Sequence, residues 1–252
     1  MSAPSRTRLV IALLFLLVTA AVTISAGRWQ LSRADEKRAL AARIERGRAL
    51  PPLALAPSMP GTELTEWRGA VAQGQWLPAF TVLIENRNHQ GQPGFWVLTP
   101  LQFDASRPGE VLAVLRGWTP RALGAMPGVA PVNVPTPEGR QAVEGELIAH
   151  VPRLLELGTA PPLAGRFGSA DGPPRLQNFD LTAYATATGL KVLPMVLQQT
   201  GEAKDGLVRD WAPPPNNIDT HLGYAMQWFS FAAIALIALG VLLVRRFRSI
   251  RH

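Results

Sequence analysis

The chain has 252 residues, 25 Lys and Arg against 18 Asp and Glu, and no cysteine. The missing thiols exclude a disulfide scaffold, a thiolate zinc site, a Cys-held iron–sulfur cluster and a Cys nucleophile. With 47% apolar and only 17% charged residues, the composition points to membrane segments.

In chain order, residues 1–8 form a short basic tail carrying Arg6 and Arg8 and no acid. An uncharged apolar run then fills residues 9–26. A bilayer core of about 30 Å takes about 20 helical residues, so this run is short but adequate to span, and residues 9–27 are assigned as a first transmembrane helix. A cleaved signal peptide is the alternative. The run exceeds the apolar region of a signal, and Ile24-Ser25-Ala26 is a poor cleavage site. The helical pattern also continues through WQLSRADEKRALAARIERG, free of Gly and Pro until Gly47, so an uncleaved anchor is expected.

Residues 28–220 read as one β-rich domain. Strands are expected at 66–73, 80–85, 95–101, 110–117, 141–150, 175–178, 191–200 and 207–211, each an apolar, β-branched or aromatic stretch between turn signals. Pro194 within KVLPMVLQQ marks its strand as an edge or a bulge, because proline cannot donate to a ladder. Helices are expected at 119–125 and at 180–188, the latter with Asp180 as N-cap. Strand following strand argues for an α+β domain dominated by an antiparallel sheet or small barrel, flanked by two transmembrane α-helices.

Residues 221–244 form the second expected transmembrane helix, and residues 245–252 a tail with Arg245, Arg246, Arg248 and Arg251. The basic excess therefore sits in the two tails while the middle is nearly neutral. That distribution excludes a nucleic-acid-binding surface and places the tails in the cytoplasm, the domain outside it and the lipid bilayer between them. Trp29 and Trp228 lie toward the same membrane face, as an aromatic belt does.

Motifs for chemistry are sparse. There is no phosphate-binding Gly-rich loop, no G-x-S-x-G elbow and no H-E-x-x-H. His89, His150, His221 and His252 share no metal-ligand spacing, and five scattered Met make a Cu(I) carrier improbable. Glu144 and Glu146, two apart on a strand, read as a solvated face. A membrane-anchored hydrolase or haem-modifying enzyme would need a convergent acid, base or nucleophile cluster, and none is nominated, so no enzyme is expected.

One constellation remains, at the outer end of the second span. His221, Tyr224, Ala225 and Trp228 fall at i, i+3, i+4 and i+7 and share a helix face, with Trp228 about 10 Å deeper than His221. A neutral imidazole there suits an axial ligand to haem iron, with Tyr224 and Trp228 flanking the macrocycle. An aromatic belt capped by a polar residue accounts for the same residues. Gln227, on another face, is positioned to hydrogen-bond the first span.

Four stretches in this order, GRWQLSRADEK, NRNHQGQPGFWVLTPL, VLRGWTP and HLGYAMQWFSFA, resemble the Surfeit locus protein 1 family, membrane factors for biogenesis of cytochrome c oxidase. The resemblance covers the whole architecture. It implies a bacterial inner-membrane protein that aids haem a insertion into oxidase subunit I, with His221 as the haem contact. It also implies subunit I or its assembly intermediate, and haem a synthase, as partners; a scaffold that never touches haem is the alternative. Within the family-like stretches, Gly94 and Gly117 are expected to meet backbone demands and Trp118 to be a core or membrane anchor. Arg116 is a candidate for a haem propionate or partner carboxylate, with a strand-end salt bridge as its ordinary reading.

Overall fold

A computed structural model describes residues 6–103, 109–121, 134–156, 158, 162–168, 172–214 and 216–250. Two compact units divide the chain, one of residues 1–42 with 213–252 and one of residues 43–212.

The first unit holds two helices long and apolar enough to cross a membrane. Helix α1, Arg6–Arg48, runs 43 residues without a break, about 65 Å at 1.5 Å per residue. It carries the expected pattern past the apolar run to the end of the charged stretch. Helix α3, Ile218–Ile250, has 33 residues. In hydrocarbon a helix satisfies its own backbone. The hydroxyls follow suit: Thr23 donates to the Thr19 carbonyl at 2.8 Å, Ser25 to Ala21 at 2.9 Å and Ser230 to Met226 at 2.9 Å.

The second unit is a sheet of eight strands: β1 (Leu53–Ala54), β2 (Gly69–Trp76), β3 (Val82–His89), β4 (Gln92–Gln102), β5 (Glu110–Pro120), β6 (Arg140–Ile148), β7 (Arg175–Leu176) and β8 (Lys191–Gln199). Their order is β1-β2-β6-β8-β5-β4-β3-β7, and β2 also pairs β4, which closes β2, β6, β8, β5 and β4 into a five-stranded barrel. Most pairs are antiparallel; β1–β2, β3–β7 and β5–β8 are parallel.

Alternation along the strands makes three buried clusters among the described residues, of which the two larger flank β5. Leu112 and Val114 of β5, Leu193, Met195 and Leu197 of β8, Val143 and Leu147 of β6, and Trp76 of β2 cluster together, which identifies this set as the barrel interior. The opposite faces, with Ala113, Leu115 and Val196, pack beneath helix α2, Leu181–Thr188. Strand β5 is thus buried on both sides, which explains its unbroken apolar run. As expected, Asp180 caps α2, its carboxylate accepting from the Ala183 N–H at 2.9 Å. Tyr184, fully enclosed, donates to the Phe80 carbonyl at 2.7 Å; burial raises its pKa above the ordinary tyrosine value.

Of the two readings of Pro194, the bulge is met, in a strand that lies between β6 and β5 but whose ladder with β6 begins only at Val196. Proline is accommodated by a bulge, because Val111 pairs Val192 and Ala113 pairs Val196, so residues 193–195 stand opposite Leu112 alone. The expected strand at 207–211 reduces to one bridge between Val208 and Trp118, and Pro213 and Pro214 follow soon after. Of the expected helix at 119–125, Thr119 and Pro120 end β5 instead, and residues 122–125 lie outside the described residues. The strand at 175–178 keeps two residues; Gln177 and Asn178 turn their amides to the Leu155 and Leu154 carbonyls.

Candidate functional site

In the first unit, buried positions recur every three or four residues along α1 at Ala20, Thr23 and Gly27, and again at Ala34, and along α3 at Ala225, Ala232 and Ala235. Such a seam of small residues lets helices approach closely where lipid supplies no hydrophobic drive. The clearest point is Gly27: a Cβ there would lie 2.8 Å from the Phe229 ring. The same face of α1, three residues on, carries Gln30, and its Oε1 sits 2.7 Å from His221 Nδ1 on α3. With Oε1 accepting, Nδ1–H is the donor, and in the neutral ring Nε2 then keeps the lone pair.

The four residues of the expected constellation separate by depth in this seam. Ala225 is buried in it, His221 and Trp228 are half-buried at its margin, and Tyr224 is 50% exposed. Trp228 stands edge-on to Phe231, ring centroids 6.0 Å apart. Gln227 is exposed, so the amide that reaches across the helices is that of Gln30. Its signal lies in the GRWQ stretch: Thr23, Gly27, Gln30 and Ala34 repeat at one helical face. Trp29, one position away, is 55% exposed beneath the Arg33 guanidinium at 5.6 Å. Two stretches far apart in sequence, GRWQ and HLGYAMQW, therefore meet at a single hydrogen bond.

The barrel unit holds Arg116 in a salt bridge, its ordinary reading, but an enclosed one. Its side chain is fully buried. The guanidinium donates to Asp205 Oδ2 at 2.9 Å, to the Pro135 carbonyl at 2.7 Å and to the Thr136 hydroxyl at 3.2 Å, and it lies 4.8 Å from the Trp76 ring. Arg209 donates to the same Asp205 oxygen at 2.6 Å, and the Leu207 N–H to the other at 3.2 Å. Desolvation lowers the Arg116 pKa despite the nearby carboxylate. Burial alone pushes the Asp205 carboxyl up, but Arg209, the Leu207 N–H and Arg116 outweigh it and hold the carboxyl below its ordinary range. Arg116 ties the loop carrying Asp205 to strand β5.

Other family-like residues in the barrel are structural. Trp118 is buried and donates to the Arg87 carbonyl at 2.7 Å. At Gly94 a Cβ would run into the Thr119 carbonyl and the Trp118 ring, and at Gly117 into Leu207 at 2.7 Å. Arg87 is buried against Trp96, guanidinium to ring 4.4 Å, and burial lowers its pKa to about 10. Glu144 and Glu146 lie on the outer side of β6, where Glu146 takes two hydrogen bonds from Arg48 at 2.6 and 3.1 Å. Among the described residues no three His, Asp or Glu gather as metal ligands.

Comparison with known proteins finds relatives over most of the chain. The profile described as the SURF1 family matches residues 17–233. An uncharacterised SURF1-like protein of Mycobacterium tuberculosis is 28% identical over 233 residues, covering 89% of this chain and 79% of that protein. A like-named protein of Mycobacterium bovis matches to the same extent. A SURF1-like protein of Monosiga brevicollis is 26% identical over 251 residues, covering 92% of this chain and 87% of its own.

Proposed function

The chain belongs to the SURF1 family and is, as that membership implies, a factor for assembly of cytochrome c oxidase; we propose that it takes part by holding haem a as cargo at the outer end of α3 for insertion into subunit I. The observation that supports this reading is the His221 ring. Its Nδ1 is engaged by Gln30 at 2.7 Å across the helix pair, which leaves the Nε2 lone pair for an iron.

Haem a brings an open axial position on iron and a flat apolar macrocycle. Around His221 this chain offers what that cargo needs: a half-buried Trp228, an exposed Tyr224 ring and a seam whose small residues exclude bulk water from the inner side of the imidazole. No bond change is assigned to the chain, whose role is to bind, orient and release. In this reading the tails lie in the cytoplasm of a bacterial inner membrane, with the barrel in the periplasm, the side on which subunit I or its assembly intermediate presents itself and to which haem a synthase delivers.

The test is an absorption spectrum of the full chain purified from membranes of haem-a-producing cells. Wild type is expected to carry a haem a chromophore and His221→Ala to lose it. Equal spectra from the two would leave a scaffold that grips an oxidase intermediate without touching haem.

A further inference from the structure

A glutamine is an odd occupant of the α1 seam. Its neighbours on that face, Thr23, Gly27 and Ala34, are small and let the helices close, whereas a half-buried amide must find a hydrogen bond or lose free energy. Packing alone would be served by Ala or Leu. Gln30 spends its side-chain oxygen on one atom, His221 Nδ1. An imidazole free in water prefers to carry its proton on Nε2. An acceptor fixed at Nδ1 reverses that preference and orients the ring.

We propose that Gln30 is a positioning residue for His221: by accepting from Nδ1–H it holds the tautomer and ring orientation that present the Nε2 lone pair to a haem iron. This rests on the haem reading above for its purpose, though not for its geometry. Gly27 serves the same end from one turn away. Its missing side chain lets α1 approach Phe229, which keeps the Gln30 oxygen within reach of α3. Outer partners of ligating histidines commonly tune affinity in this way, by about 10- to 100-fold.

The experiment uses the full chain in detergent, labelled with 15N-histidine, with His221→Ala identifying the His221 signals. Two-bond 1H–15N correlations report the tautomer without any haem present. Wild type is expected to show His221 protonated at Nδ1. Gln30→Leu is expected to move the proton to Nε2, and Gln30→Glu, which retains an acceptor oxygen, to keep it at Nδ1. A wild-type ring protonated at Nε2, or one indifferent to Gln30→Leu, overturns the proposal. Haem a titration by absorbance is the second arm. Gln30→Leu should bind about 10- to 100-fold more weakly, with Gln30→Glu close to wild type. A tautomer that moves while affinity stays constant overturns the positioning role. If His221→Ala itself binds haem a as wild type does, the haem reading fails instead, and the tautomer data still stand as a description of the helix pair.

Discussion

Asp205 is the residue on which most polar order in the barrel converges, since two guanidiniums and a backbone N–H share its two oxygens. Removing the charge leaves Arg116 buried and uncompensated, so Asp205→Asn should cost about 3–5 kcal/mol, read as a drop in the urea midpoint followed by tryptophan fluorescence. The sign of the pH dependence follows from the depressed carboxyl. Its stabilisation is complete above the unfolded value of about 3.9 and is lost as pH falls through the lower folded value. Wild type should therefore lose stability between about pH 5 and pH 2 more steeply than Asp205→Asn. At this scale the sequence is legible where chemistry is local. His221 stands out by its helix position. Arg116 stands out as a charged residue near a strand end, but its enclosure does not, because that depends on β5 lying inside a closed sheet, which a linear stretch such as VLRGWTP does not display. Gln30 is equally silent, because an amide acquires meaning only from its partner, and that partner is 191 residues away.

Elements are legible where they are long. Apolar stretches between Gly, Pro and Asn locate the six strands of eight or more residues, and the Asp180 cap locates α2. Two-residue strands such as β1 and the lone Val208 bridge are too short to imprint a period. Pro194 illustrates a rule with two outcomes: the lost donor demands an edge or a bulge, and β8 supplies a bulge against β5 just before its ladder with β6 begins at Val196. Glycines mark where elements touch. At Gly74 β2 has β6 on one side and meets β4 on the other, and a Cβ would strike the Gln102 carbonyl. Gly74→Ala should destabilise the barrel by about 1–3 kcal/mol, visible as an earlier thermal transition, while Gly91→Ala, at an open hairpin turn with nothing within 4 Å, should lose only the small cost of a positive φ. In the membrane pair, Gly27→Val should prise α1 from Phe229. The same histidine correlations would then report a His221 ring no longer held at Nδ1.

For the whole molecule, the barrel class and the two spans follow from hydropathy and strand succession, whereas the ring closure through β2 and β4 follows from neither, because strand order is a property of tertiary packing. The orientation derived from tail charge is open to direct measurement, helped by the absence of native cysteine. A membrane-impermeant maleimide should label Ala203→Cys in intact spheroplasts and Ser2→Cys only after lysis; labelling of Ser2→Cys before lysis would reverse the assignment. The join between Gln30 and His221 also has a meaning in time. Gln30 is synthesised early and waits in the membrane while some 191 residues follow. A ribosome that stalls, or a message cut short, yields a chain with an anchor and a barrel but half of the histidine's cradle. A product cut short before α3 therefore lacks the Gln30–His221 hydrogen bond altogether.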